Sequence, residues 1–433
     1  MEIFAIFTFI ILIVTLVSII NERFIKIPGE IAILIFSVIL FLILKLLDYF
    51  IDFEWFNNII LNLKEFNIES YLLDGVLCFM LFAGASKVRF KKFTKNIKSI
   101  TILSFISTAI SAFVYGLLFY LILLMFKINI SIWICILLGC IIAPSDPIAA
   151  TGILSKLGMS KNLTTVIESE SLFNDGIGVV LFAFVKSIIT NIGTNILVVM
   201  VQEIFGAIIV SFVVCLLLLL LMKLSHNPRN YILLSILAVA FSYFICVKFG
   251  FSGCISSVIC GMIFAYYRSK NDNYFKITDE KDIYETFWDI IDYYLNGILF
   301  VLIGLVVLKI EFTWILLLIG VISVICSLCA RFSGVGIPLL IPKGQSIPGG
   351  YNWKEYLTLM TWGNLKGGLS LALVLSSKNI LASNEYILLL AATYFTILFT
   401  VIVQGLTNKR VYLHIENIKA KRIQREGEEK CVL

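Results

Sequence analysis

Residues 131–155 read SIWICILLGCIIAPSDPIAATGILS, an apolar stretch long enough to cross a bilayer, with Ala143-Pro144-Ser145-Asp146-Pro147 at its middle. Proline has no amide hydrogen and pushes the residue before it away from helical geometry, so two prolines around Ser145-Asp146 predict a helix that unwinds there. The unwound turn offers free carbonyls and the side chains of Ser145 and Asp146, all oxygen donors, which suit a hard cation such as Na⁺. Broken helices at mid-membrane are a recurring form of ion site in transporters. The alternative is a plain kink in which Asp146 caps the second half-helix, but a cap does not need a carboxylate.

The rest of the chain supplies the lipid-facing context. Of 433 residues, 60% are hydrophobic and 14% charged, against roughly 25% charged in soluble domains. That composition excludes an ordinary soluble enzyme, a disordered protein and a nucleic-acid binder, and the net charge of +6 is too mild to argue otherwise. At about 20 apolar residues per span there is room for roughly a dozen to fifteen helices. The ten cysteines lie mostly inside apolar runs and read as small packing residues. Cys326 and Cys329 form a C-x-x-C with no second pair or nearby histidine. Cys431 stands one position too late for a prenylation box, and His226 and His414 are too few for a histidine-rich metal site.

Spans are predicted at 3–20, 29–47, 71–86, 99–126, 131–155, 165–190, 196–223, 230–248, 251–268, 290–308, 312–341, 355–377 and 385–405. The first follows Glu2, has no basic leader and no small-x-small cleavage pattern, so it reads as a membrane helix rather than a signal peptide. Thirteen spans put the termini on opposite sides. With that alternation, 25 Lys and Arg residues fall on one side and 5 on the other, which predicts a cytoplasmic C-terminus and an external N-terminus in the cell membrane. Residues 407–433 form a short basic cytoplasmic tail, read as a solvated or lipid-touching helix. Lys45, Lys186, Arg331 and Lys366 remain within or at the ends of spans.

An ionisable group at bilayer depth costs at least ~2.5–3.5 kcal/mol, so each is a functional candidate. The sixth span carries Glu168-Ser169-Glu170-Ser171-Leu172-Phe173-Asn174-Asp175-Gly176. Helical spacing puts Ser171 and Asp175 on one face and Glu170 with Asn174 on the adjacent stripe. The apolar run Ile177 to Val185 directly after argues against a loop in water. Arg331 and Lys366 need carboxylates or helix-terminal carbonyls as partners, Glu170 being the best candidate for Arg331. Glycines around Lys366 permit a second unwound helix, so two interrupted helices in corresponding halves predict inverted repeats. Snorkelling of Lys366 to an interface is the simpler alternative.

These motifs, with Trp288, Asn296-Gly297-Ile298-Leu299-Phe300, Gly304 and Trp362-Gly363-Asn364-Leu365-Lys366-Gly367-Gly368, resemble the NhaP/NHE-type Na⁺/H⁺ antiporters from the third span to the last. The resemblance implies an all-α polytopic membrane protein of about thirteen helices and a homodimer. It implies a core (99–190 and 312–405) with two unwound crossing helices, moving against a dimerisation scaffold (3–86 and 230–308), with 196–223 linking them inside a transmembrane domain of 1–406. It further implies Asp175 as the carboxylate that exchanges Na⁺ and H⁺, with Asp146, Ser171 and the main chain at Ser145 completing the coordination. Asn174 would support them, and Glu170 would pair with Arg331. This chain has Ser145 where the family usually has Thr, and Asn364-Leu365-Lys366-Gly367 where it usually has Gly-Leu-Arg-Gly.

The physical expectation is alternating access without catalysis or cofactor. A bare Asp175 carboxylate is too costly to carry past apolar side chains, and binding Na⁺ or H⁺ removes that cost, so one ion is exchanged for the other. With Asn174 neutral, a single charge is exchanged, which predicts electroneutral 1:1 stoichiometry, with Li⁺ as a further substrate. The alternatives are K⁺/H⁺ or broad monovalent cation exchange, a channel and, remotely, an intramembrane aspartyl protease using Asp146 and Asp175. No Gly-x-Gly-Asp sequence supports the last of these.

Overall fold

The computed structural model describes residues 2–50, 75–146, 159, 161–190, 196–224, 227–270, 280–311, 313–340 and 347–432. Helix occupies part of every predicted span: α1 (Glu2–Ile20), α2 (Gly29–Phe50), α3 (Leu77–Ser86), α4 (Thr108–Met125), α5 (Ile132–Ile142), α6 (Lys161–Ile189) and α7 (Ile196–Met222). These are followed by α8 (Pro228–Lys248), α9 (Gly253–Lys270), α10 (Glu280–Leu305), α11 (Trp314–Leu339), α12 (Trp353–Trp362), α13 (Gly368–Ser376), α14 (Ser383–Leu398) and α15 (Gly405–Val432). Among the described residues nine helical stretches are long and apolar enough to span a bilayer, and α3 and α5 are shorter apolar helices. The all-α polytopic expectation therefore holds. Pro147 and the second half of the fifth span, 148–155, lie outside the described residues.

Helix starts follow local chemistry. Asn227 caps α8 by accepting from the Arg229 amide at 3.0 Å, with Pro228 at the first helical position, where a missing amide hydrogen costs nothing. Asn352 and Glu355 form a reciprocal capping box on α12. α4 packs on α5 and α11, and α11 on α14. At the α4–α5 crossing Gly116 lies against the Ile136 backbone and Gly139 against the Ala112 backbone so closely that a Cβ on either would collide with main-chain atoms. This is the small-residue packing by which helices approach where the surrounding lipid is as apolar as leucine. α7, α8 and α9 pack together, α9 also on α3, and share an apolar cluster that includes Phe82, Cys215, Tyr231, Phe264 and Trp288. The described free cysteines are buried, except Cys329.

Two elements differ from expectation. α10 begins at Glu280, ten residues before the predicted span at 290, because Tyr284, Phe287 and Trp288 give its polar first turns an apolar face to bury. Helix continues from α14 through a π-helical turn, Phe399–Gln404, into α15, so the basic tail prolongs the last span. The tail is also docked: Arg422 meets Glu355 at 3.2 Å and the Gly350 carbonyl at 2.8 Å, Tyr351 donates to Glu416, and the Lys419 ammonium sits 4.0 Å from the Tyr351 ring. Lys45, left within a span by the sequence, finds backbone partners: its ammonium donates to the carbonyls of Val307, at 3.1 Å, and Ile310, just past the end of α10.

Candidate functional site

Helix stops at Pro144 in the fifth span and is interrupted around Lys366 in the twelfth, both where expected, and the two non-helical segments touch. α5 ends at Ile142 with Ala143 still in helical dihedrals, after which Pro144 to Asp146 are non-helical. α12 ends at Trp362 and α13 resumes at Gly368. The Asp146 amide donates to the Leu365 carbonyl at 2.8 Å, making a one-pair antiparallel bridge between the two non-helical segments. Their approach depends on Gly367, where a Cβ would come within 2.7 Å of an Asp146 carboxylate oxygen. An alanine there would force the crossing apart.

Lys366 is fully enclosed and neutralises the end of the first broken helix. Its ammonium donates to the carbonyls of Ala143 (3.2 Å) and Pro144 (3.1 Å), the acceptors that α5 leaves unpaired when Pro144 stops it. Its amide donates to the Thr400 hydroxyl at 3.1 Å, inside the π-helical turn of the last span. Lys366 therefore does not snorkel. A compact cation suits two carbonyls at a helix C-terminus, a task that needs no planar fork of the kind arginine brings to a carboxylate. Lys366→Met removes both bonds, and the expected loss is about 1.5–3 kcal/mol for hydrogen bonds to a charged group. Thermal unfolding in detergent measures it, and an unchanged Tm would show that the two carbonyls do not depend on this ammonium.

α6 presents the polar stripe opposite this crossing. Asn174 uses both ends of its amide: Oδ1 accepts from the Ser145 amide at 3.2 Å, while Nδ2 donates to Ser145 Oγ at 2.7 Å and Glu170 Oε1 at 3.0 Å. Ser145 and Ser171 hydroxyls lie 3.1 Å apart. Glu170 is gripped by Arg331 in a two-pronged pair of 2.8 and 3.0 Å, and Arg331 Nε donates to the Met360 carbonyl at 3.2 Å. Ser104, in a π-helical turn before α4, donates to the Glu170 carbonyl at 3.3 Å. All of these side chains are buried, so each polar group has the partner that burial demands.

Asp175 and Asp146 are only half-buried, because both line a cavity of about 80 Å³. The cavity is lined by the end of α5 (Pro144, Ser145, Asp146), α6 (Leu172, Asp175), the start of α13, α3 (Leu77, Met80, Leu81) and α10 (Asp292, Leu299). Ser145 also lines a second, smaller cavity of about 10 Å³ with Ser171, Glu170 and Arg331. The structure thus brings Asp146, Asp175 and Ser145 to one space and puts Ser171 one hydroxyl away from it. Sequence reading passes over Thr400, Ser104 and Asp292. The two hydroxyls sit in apolar runs with no signal. Asp292 follows Asp289 at helical spacing, but the predicted start of its span at 290 makes it look interfacial.

This set can hold a small cation by oxygen atoms and give the same carboxylates to a proton. Comparison with known proteins supports that chemistry. The family model described as "Sodium/hydrogen exchanger, transmembrane" matches residues 9–413. The Na⁺/H⁺ antiporter NhaP of Pseudomonas aeruginosa is 30% identical over 408 residues, covering 91% of this chain and 92% of that protein. The Na⁺/H⁺ antiporter NhaH of Halobacillus dabanensis is 28% identical, covering 79% of this chain and 82% of the relative. The sodium proton antiporter MjNhaP1 of Methanocaldococcus jannaschii, solved at pH 8, has the same fold, with a TM-score of 0.74 over 96% of this chain and 99% of that one at 18% identity. A family match over nearly the whole length, and a relative this similar from end to end, make the chain a member of the sodium/hydrogen exchanger family.

Proposed function

We propose that this multi-pass membrane protein exchanges Na⁺ for H⁺ by alternating access, with Asp175 as the carboxylate that takes either ion. The observation that carries the reading is the cavity in which Asp175 and Asp146 meet where two non-helical segments touch, lined also by α3 and α10. The apolar side chains Leu77 and Leu81 of α3 and Leu299 of α10 that line the same cavity oppose movement of an unneutralised carboxylate past them. Na⁺ and H⁺ each remove the charge and so each permit movement, and exchange follows from competition for one group. Asp146 and Ser145 complete the oxygen set, and Ser171 steadies Ser145.

The exchange is electroneutral, one Na⁺ per H⁺, in this reading. Support comes from Asn174, whose amide nitrogen donates to Glu170 at 3.0 Å. An aspartate in its place would set a second carboxylate against Glu170, so the geometry favours a neutral side chain and leaves one exchangeable charge. Li⁺ shares the oxygen preference of Na⁺ and is expected to be a substrate. The chain is placed in the cell membrane with its basic face, including the tail, towards the cytoplasm, as a homodimer in contact with lipid.

The test is a fluorescence assay in proteoliposomes carrying a pH gradient. Addition of Na⁺ or Li⁺ should collapse the gradient, K⁺ should do so weakly, and clamping the membrane potential should leave the initial rate unchanged. A rate that scales with the clamped potential would remove the one-to-one stoichiometry, and equal responses to K⁺ and Na⁺ would replace the substrate assignment by broad monovalent cation exchange.

A further inference from the structure

The ion cavity has a third carboxylate, Asp292, which comes from α10, whereas Asp146 and Asp175 come from the end of α5 and from α6. Both of its oxygens are engaged. Asn296 donates to Oδ1 at 2.9 Å, and Lys87, just past the end of α3, donates to Oδ2 at 2.8 Å. Lys87 simultaneously meets Asp289 at 2.8 Å, one helical turn away on α10. The side chains become more exposed along this series, from 14% at Asp292 through 34% at Lys87 to 62% at Asp289. Burial pulls the Lys87 ammonium towards neutrality, but the two aspartates outweigh it and hold its pKa above the ordinary value. Asp292 therefore lines the cavity with the Lys87 ammonium behind it, a cation that has one partner at the cavity and a second, better hydrated partner next to it.

We infer that Asp292 is the carboxylate that captures Na⁺ on the scaffold side of the cavity, and that Lys87 is its built-in competitor, withdrawing to Asp289 when a cation arrives. The residue types fit this task. Lysine is a compact point charge on a four-carbon stem that re-aims at little cost, whereas arginine would lock a carboxylate with two parallel bonds, as Arg331 locks Glu170. Asn296 holds Asp292 in place whichever cation it faces. The inference rests on the alternating-access reading in one respect. Asp292 and Lys87 belong to the helices against which the core moves, so they meet the ion only when the site opens towards the face that carries Lys87. Their effect is on one side of the membrane, which no purely structural ion pair would produce.

The experiment measures the apparent KM for Na⁺ from each face, using the full-length chain in everted and right-side-out vesicles. Asp292→Asn removes the capturing charge and leaves Lys87 paired with Asp289 alone, and the KM on the Lys87 face should rise about fivefold, with less than about twofold change on the other face. Lys87→Met leaves an extra negative charge, and the KM on the same face should fall by about two- to fivefold. Opposite signs from the two partners are the signature. A folding defect lowers the maximal rate in both vesicle types but leaves the ratio of the two KM values in place, and Lys87→Met carries the test alone if Asp292→Asn is inactive. Shifts of the same sign, or equal shifts on both faces, overturn the inference while the wild type still exchanges. A wild type without Na⁺-dependent proton movement overturns the exchange reading itself, and this inference with it.

Discussion

Asp175→Asn is expected to abolish Na⁺-dependent proton movement in proteoliposomes while the protein stays folded. The substitution keeps the shape and removes the charge. At about 4 Å and an effective dielectric constant near 20, one unit charge is worth about 4 kcal/mol of attraction to a bound cation. At 1.4 kcal/mol per factor of ten, that is a loss of about several hundred-fold in affinity. The amide cannot take up a proton either, so both halves of the exchange fail together. Stability should hold or rise, because a half-buried carboxylate facing Asp146 across a small cavity loses its desolvation cost when it becomes neutral. The measurement pairs the liposome assay with a thermal scan of the same preparation. Exchange that survives the substitution would move the ion to Asp146 and Asp292 and end the assignment of Asp175.

How much of this was legible in the sequence depends on whether a feature is local. Pro144 stops a helix through its own ring, so the unwound segment at Ser145-Asp146 could be read from five letters. The positions of Ser171 and Asp175 relative to Glu170 and Asn174 follow from helical period alone, and α6 runs unbroken through all four. The partner of Lys366 was not readable, because Ala143 and Pro144 lie more than 200 residues away and offer only backbone oxygen, which has no letter of its own. The contribution of Thr400 is hidden for a related reason, since a threonine in an apolar run gives no sign that a π-helical turn will aim its hydroxyl at another segment. Asp292 was misjudged through a boundary. Starting the helix at 290 left it near water, whereas ten more residues of helix carry it into the cavity wall. The docking of the tail is likewise a tertiary fact, since Arg422 finds Glu355 already committed to capping α12.

The second large effect concerns the pair that holds the two broken helices in register. Glu170 and Arg331 are about as buried as charged groups can be, at 1% and 4% exposure, and their bonds connect α6 to α11, with a further bond from Arg331 to the Met360 carbonyl in α12. Removing one partner leaves a naked charge in an apolar interior, which costs about 3–5 kcal/mol, whereas replacing both by apolar side chains of similar volume is often neutral. Arg331→Met and Glu170→Leu should therefore each lower the Tm strongly, and the double variant should recover much of the loss, with a coupling of about 2 kcal/mol or more. Full recovery is not expected, because Asn174 Nδ2 loses its acceptor in Glu170, while the Ser104 bond, made to the backbone carbonyl of residue 170, is kept. Activity separates the roles further. A stabilised double variant no longer fixes Met360, three residues before the α12 chain leaves helical geometry at Gly363, so its exchange rate should stay low even where its Tm returns. If the two single substitutions add without coupling, the contact carries no net energy. If the double variant exchanges at the wild-type rate, the pair supports the fold and does not position the crossing.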